Sequence, residues 1–154
     1  MEKPNPSSLV RGMMDKAIRL AQKSLELDQS NPFAHWTLGR VTKGDTLAHI
    51  ETAIRSIEKA IELQPNYADA FAYLTYLYTG SGRLTDSSAA IKNAMELNPI
   101  YPYWYLHARG VVDYMTDNFD GAVVNFEAAI ARNPAVHFIQ FLACGGLRNV
   151  GSHG

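Results

Sequence analysis

Apolar residues recur along this chain at three- and four-residue steps. Ala53, Ile54, Ile57, Ala60 and Ile61 form one such set, and Ala90, Ile91, Ala94 and Met95 another. That spacing puts each set on one stripe of an α-helix, facing a core. Four prolines, Pro32, Pro65, Pro99 and Pro134, stand 33, 34 and 35 residues apart, and each is read as closing a helical stretch. Proline stops a helix because it has no amide proton for the backbone ladder. A unit of about 34 residues is one helical hairpin, too small to bury its own apolar face unless it stacks on a copy. The pattern predicts an all-α solenoid of antiparallel helix hairpins.

Turn chemistry divides the units. Gly44, Gly80-Ser81-Gly82 and Asp117-Asn118 read as turns, Asp45, Thr85 and Asn118 as helix caps, and Pro102 as the opening of a helix. Small residues at Ala53, Ser87 and Ala122 allow two helices to approach closely, with Phe71, Phe126 and Tyr105 filling the adjoining space. The expected layout is one domain over residues 1–154. It has an N-terminal helix at 8–28, repeats at 32–65, 67–99 and 101–134, and a C-terminal helix at 135–148, eight helices in all. The two terminal helices stand without hairpin partners, so the ends resemble those of a piece cut from a longer chain.

Composition narrows the functional classes. Of 154 residues, 47% are hydrophobic and 19% charged, which suits one compact helical domain. The 14 basic and 15 acidic side chains nearly cancel, and residues 1–77 carry nine of each. Nucleic-acid and anionic-membrane surfaces need clustered Lys and Arg, so neither partner is expected. The single cysteine, Cys144, excludes an internal disulfide and a cysteine-based zinc site, and a reducing, cytoplasmic location is the default. No run reaches the roughly 18 apolar residues of a membrane span, and the N-terminus lacks a signal-peptide core.

No constellation of catalytic or metal-binding residues emerges. His35, His49, His107, His137 and His153 form no pair on successive helical turns, and His49 and Glu51 fall on different faces. Asp113, Asp117 and Asp120 cluster at a turn, where helix capping accounts for them. Ser87 occupies a packing position, and Ser87-Ser88 has no identifiable base. Cys144 lies on an apolar helix as a buried thiol, and Gly145-Gly146 lacks the flanking residues of a phosphate loop. The expectation is a non-enzyme with no metal and no cofactor.

The units resemble the tetratricopeptide repeat. In the middle unit Phe71, Leu74, Tyr78, Ser87, Ile91, Ala94 and Pro99 fall on the motif positions, with Thr75 where that family prefers Gly. The unit before it carries Leu38-Gly39, Ala53, Ile57, Ala60 and Pro65. The unit after it carries Tyr105, Ala108, Ala122, Phe126, Ala129 and Pro134. The match runs from about Ser24 to Leu147. Two departures affect geometry. Extra residues between Gly39 and Ala53, with a break at Lys43-Gly44-Asp45, predict a short first helix and a long second one. One extra residue between Ala108 and Ala122 leaves Arg109 and Gly110 as alternatives for the Gly position.

The resemblance implies a right-handed superhelix whose first helices line a concave groove. Matched to the motif, the groove positions are Phe33, Trp36, Arg40 and Lys43, then Asp69, Ala72, Tyr73, Tyr76 and Thr79, then Tyr103, Leu106, His107, Gly110 and Tyr114. Aromatic and Arg side chains give large contact area at small rotamer cost, so a peptide or protein partner is implied. His107 is read as a packed wall residue.

Some domains of this family hold a chaperone's C-terminal carboxylate with Lys, Asn and Arg. Here Trp36, Arg40, Tyr73, Tyr103 and His107 occupy those positions, so only Arg40 could pair with a carboxylate, and that ligand is not expected. The wording of Asn31 to Val41 and of Gly82-Arg83-Leu84 is similar to the repeat regions of bacterial multidomain regulators of the class III nucleotide cyclase or winged-helix type. The reading is a non-catalytic protein-interaction scaffold, a regulatory part of a larger protein. Its alternatives are a chaperone or secretion adaptor and a homo-oligomer assembling through terminal helices, with Phe138 and Phe141 as the assembly edge.

Overall fold

A computed structural model describes residues 5–42 and 46–134. Among them lie seven α-helices: α1 (Pro6–Leu27), α2 (Pro32–Val41), α3 (Leu47–Leu63), α4 (Ala68–Gly80), α5 (Leu84–Leu97), α6 (Tyr103–Met115) and α7 (Phe119–Arg132). The eighth expected helix, with Phe138, Phe141 and Cys144, lies outside the described residues, as does the Lys43–Asp45 break. Around that break the expected asymmetry holds, with 10 residues in α2 and 17 in α3. The chain divides into two compact units, Met1–Ile100 and Tyr101–Gly154.

The first unit contains α1 to α5, with α2–α3 and α4–α5 as hairpins. Asn31 caps α2 by accepting a hydrogen bond from the Ala34 amide, and Pro32 occupies the first helical turn. Pro32 therefore opens a helix, whereas Pro65, Pro99 and Pro134 each follow the end of one. The near-regular spacing joined two different uses of proline. Thr46 caps α3 through the His49 amide, in place of the expected Asp45. Thr85 is no cap: it lies inside α5, whose preceding residue Arg83 makes no side-chain cap bond.

Packing in this unit centres on Ile54, Ile57, Ala70, Leu74, Tyr78 and Ala90. At Gly39 the two helices of the first hairpin come so close that a Cβ would stand 2.5 Å from Ile57 Cδ1 and 3.0 Å from the Ala53 carbonyl oxygen. Thr75 takes the matching place in the second hairpin. It tolerates its side chain because the hydroxyl is turned onto the Phe71 carbonyl, while the Ser87 hydroxyl donates to the Thr75 carbonyl at 2.8 Å. Ser87 is thus committed to the helix joint, as its packing position implied.

Tyr78 ties the second hairpin to the first. Its hydroxyl donates to Glu58 at 2.7 Å, and the Arg83 guanidinium lies 4.2 Å above its ring. Burial first, and then the Glu58 carboxylate, raise the Tyr78 pKa well above its ordinary value.

The second unit is the α6–α7 hairpin, with Tyr105, Leu106, Ala108, Val112, Ala122 and Ala129 buried. Pro102 precedes its first helix, as expected. Arg132 donates to the Tyr101 carbonyl at 2.7 Å and lies 4.9 Å from the Tyr101 ring centroid, clasping the open end of the hairpin. Asn118 caps α7 through the Gly121 amide. Asp113 is not a cap. It is buried, and its carboxylate accepts from Arg109, Asn118 and Asn125, which joins the two helices at the turn. Gly110 settles the repeat register, because a Cβ there would stand 2.6 Å from Phe126, as one at Gly39 would against Ile57. Twelve residues separate Gly110 from Ala122, as they do Thr75 from Ser87, so the extra residue lies upstream of α6.

Candidate functional site

Short first helices present the aromatic face of the first unit. Phe33, Trp36 and Arg40 stand three and four residues apart on α2, hence on one side of it. Asp69, Tyr73 and Tyr76 occupy the corresponding side of α4. Phe33 is 62% exposed, Arg40 is exposed, and Trp36, Asp69, Tyr73 and Tyr76 are half-buried.

Trp36 is the centre of this surface. Its ring lies 5.5 Å from Phe33 and 5.5 Å from Tyr67, a residue of the α3–α4 linker. The Arg40 guanidinium lies 4.6 Å over Trp36 and 5.7 Å from Tyr73, so one cation spans rings from two hairpins. Tyr73 and Tyr76 rings stand 6.5 Å apart. Trp36 Nε1 is covered and has no hydrogen-bond partner among the described residues. Among the described residues Arg40 makes no ion pair.

Burial raises the Tyr73 pKa, against the pull of Arg40. Tyr67 is also raised, by burial and by Asp69, again against Arg40. Both phenols therefore stay neutral donors, and the formal charges are those of Arg40 and Asp69. Such a surface can stack on flat or apolar groups and offer a forked donor to an acceptor. The described residues here supply no nucleophile paired with a base.

In the second unit Tyr103, His107 and Tyr114 lie on α6. Tyr103 is half-buried, and Tyr114 meets Phe119 edge-on at 5.7 Å. His107 is half-buried with its ring 5.5 Å from Phe126, and burial lowers its pKa. Gly110 turns toward Phe126 and Leu106 is buried, so neither lines a groove. In the first unit Ala72 is buried and the Thr79 hydroxyl is spent on the Thr75 carbonyl. Lys43 lies outside the described residues.

Sequence reasoning missed Tyr67 and Trp104. Tyr67 sits in a linker that motif matching leaves out. Trp104 enters once Gly110 fixes the register, since it stands six residues before Gly110 as Phe33 does before Gly39 and Asp69 before Thr75. A depression of about 600 Å³ lined by Gln22, Leu25, Glu26, Gln29, His35 and Lys59 shares none of these residues.

Comparison with known proteins bears on the fold. No family model matches the chain. The solved structure described as the crystal structure of MamA superposes with a TM-score of 0.64 at 22% identity, covering 84% of this chain and 74% of that one. MamA from Desulfovibrio magneticus RS-1 gives 0.64 at 20% identity, over 82% of this chain and 70% of its own. The human PEX5-related protein is 35% identical over 60 residues, 39% of this chain and a tenth of that protein's length. The fold is a tetratricopeptide-type helical solenoid. At these identities the structural likeness carries the architecture and the packing of hairpins, so function is argued from the surface.

Proposed function

We propose that this chain is a non-catalytic protein-interaction scaffold, with the aromatic face of α2 and α4 holding a peptide or protein segment. The observation that carries the reading is the Arg40 guanidinium, exposed and stacked over Trp36 and Tyr73 with no acidic partner among the described residues. Rigid aromatics around an unpaired Arg are the composition of binding hot spots, and core packing does not require an exposed Phe33 beside them. A segment carrying apolar anchors and an acceptor for Arg40 suits this face. The likeness of Asn31 to Val41 to regulator repeat regions supports a role as the regulatory part of a larger cytoplasmic protein.

A displayed library of random peptides, selected on the whole chain, tests the reading. Selected peptides are expected to lose about tenfold or more in affinity on Arg40→Ala and on Tyr76→Ala, as hot-spot truncations do. Helical circular dichroism should stay unchanged in both variants. Peptides indifferent to both substitutions would put the partner surface elsewhere.

A further inference from the structure

Helix α1 has the residue pattern of a hairpin's second helix. Met14, Ala17, Ile18, Ala21, Ser24 and Leu25 stand 36 residues before Ile50, Ala53, Ile54, Ile57, Ala60 and Ile61 of α3. In α3 one edge of this stripe faces α2, where Ala53 and Ile57 meet Gly39. The other edge faces α4, with Ile50 beside Gly80 and Ile54 packed with Ala70 and Leu74. So α3 is covered by a helix on each side. Among the described residues the helix packed along α1 is α2.

Beside its covered stripe, which includes the buried Ala21, α1 carries an open apolar arc. Leu9, Met13, Leu20 and Leu27 fall within an arc of about 40° at 3.6 residues per turn. They are 52%, 72%, 61% and 79% exposed. Four large apolar side chains on one arc are an unusual thing for a helix to offer to water. The polar border of that arc is basic, formed by Lys16, Lys23 and Arg19. Lys23 is paired with Glu26 at 2.7 Å, while Lys16 and Arg19 make no ion pair among the described residues.

We propose that this face of α1 is a docking site, separate from the aromatic face, for an amphipathic helix of a partner protein with carboxylates along one edge of its apolar stripe. The occupant is a helix because Met13, Leu20 and Leu27 recur every seven residues, the spacing that meets another helix along one seam. It is acidic because Lys16 and Arg19 flank the apolar arc and pair with no carboxylate among the described residues. A second copy of α1 fits less well, since self-pairing along the arc brings Lys16 and Arg19 of both copies to the same seam.

The probe is a designed, labelled helical peptide of about 20 residues, long enough to fold on contact, with a Leu stripe flanked by Glu, and a twin flanked by Lys. Against the whole chain at low salt, the Glu peptide is expected to bind about tenfold or more tightly than its twin. Leu20→Asp should abolish that binding, Lys16→Glu with Arg19→Glu should reverse the preference, and Arg40→Ala should leave it unchanged. The charge reversal lies on the solvent edge, so it reads the site even if Leu20→Asp disturbs the helix. Equal affinity for the twins, or loss of binding on Arg40→Ala, would overturn the proposal. So would a dimer in light scattering that Leu20→Asp dissolves, which would assign the face to a second copy.

Discussion

His107 shows how one buried side chain sets a response of the whole fold. Burial lowers its pKa below the ordinary 6.5, so the folded state holds the ring neutral against Phe126. As pH falls through the ordinary value the unfolded chain takes up this proton first, and stability is lost until the folded pKa is also passed. Above that window the contribution is fully present. Urea unfolding of the wild type is therefore expected to show a lower midpoint at about pH 5.5 than at about pH 7.5, with a smaller drop in His107→Gln. Equal drops in the two proteins would show that the site does not resist protonation. The sequence marked His107 as packed, but not against Phe126, because the pair is set by helix register.

Helix ends carry the next scale. Helix α4 stops at a Schellman turn: the Arg83 amide bonds the Tyr78 carbonyl, the Gly82 amide bonds the Thr79 carbonyl, and Gly82 has φ 78°. Helix α6 stops in the same way, with Asn118 bonded to the Asp113 carbonyl and Asp117 to that of Tyr114, but here Asp117 takes φ 60°. The left-handed region strains an L side chain and suits glycine. Asp117→Gly is expected to stabilise the chain by about 0.5–1 kcal/mol, and Gly82→Ala to destabilise it by about 1 kcal/mol. Thermal unfolding checks both signs, and an Asp117→Gly protein that melts lower would mean the carboxylate itself supports the turn. Both turns were readable from Gly80-Ser81-Gly82 and Asp117-Asn118, whereas the backbone sign at Asp117 was not, since Asp also occupies ordinary turn positions.

At the scale of the molecule, repeat architecture makes stability a sum of hairpins and of the joints between neighbours. Unit Met1–Ile100 contains two hairpins, α1, and the joint made by Tyr78, Glu58 and Arg83. A chain ending at Ile100 is therefore expected to keep helical circular dichroism and a cooperative urea transition. A spectrum of unordered chain would show that this unit depends on residues beyond it. The tetratricopeptide-type fold was legible from three units in succession, because each repeats the same small and apolar positions. The candidate site was legible in part: motif positions brought Phe33, Trp36, Arg40, Tyr73 and Tyr76 into view, while Tyr67 and Trp104 were missed.

By itself the amino-acid sequence determined helix periodicity, the turn positions, the small residues Ala53, Ser87 and Ala122 at the helix approaches, and the asymmetry of α2 and α3. All of these depend on local spacing, which a linear chain displays directly. Only tertiary structure decided that Pro32 opens a helix, that Gly110 and not Arg109 takes the Gly position, and that Asp113 joins two helices. It also decided that Arg40 stacks across two hairpins and that one edge of α1 stands open. Each of these depends on which residue of another helix lies opposite, and a shift of one residue turns a side chain by about 100° around the helix, from a groove into a core.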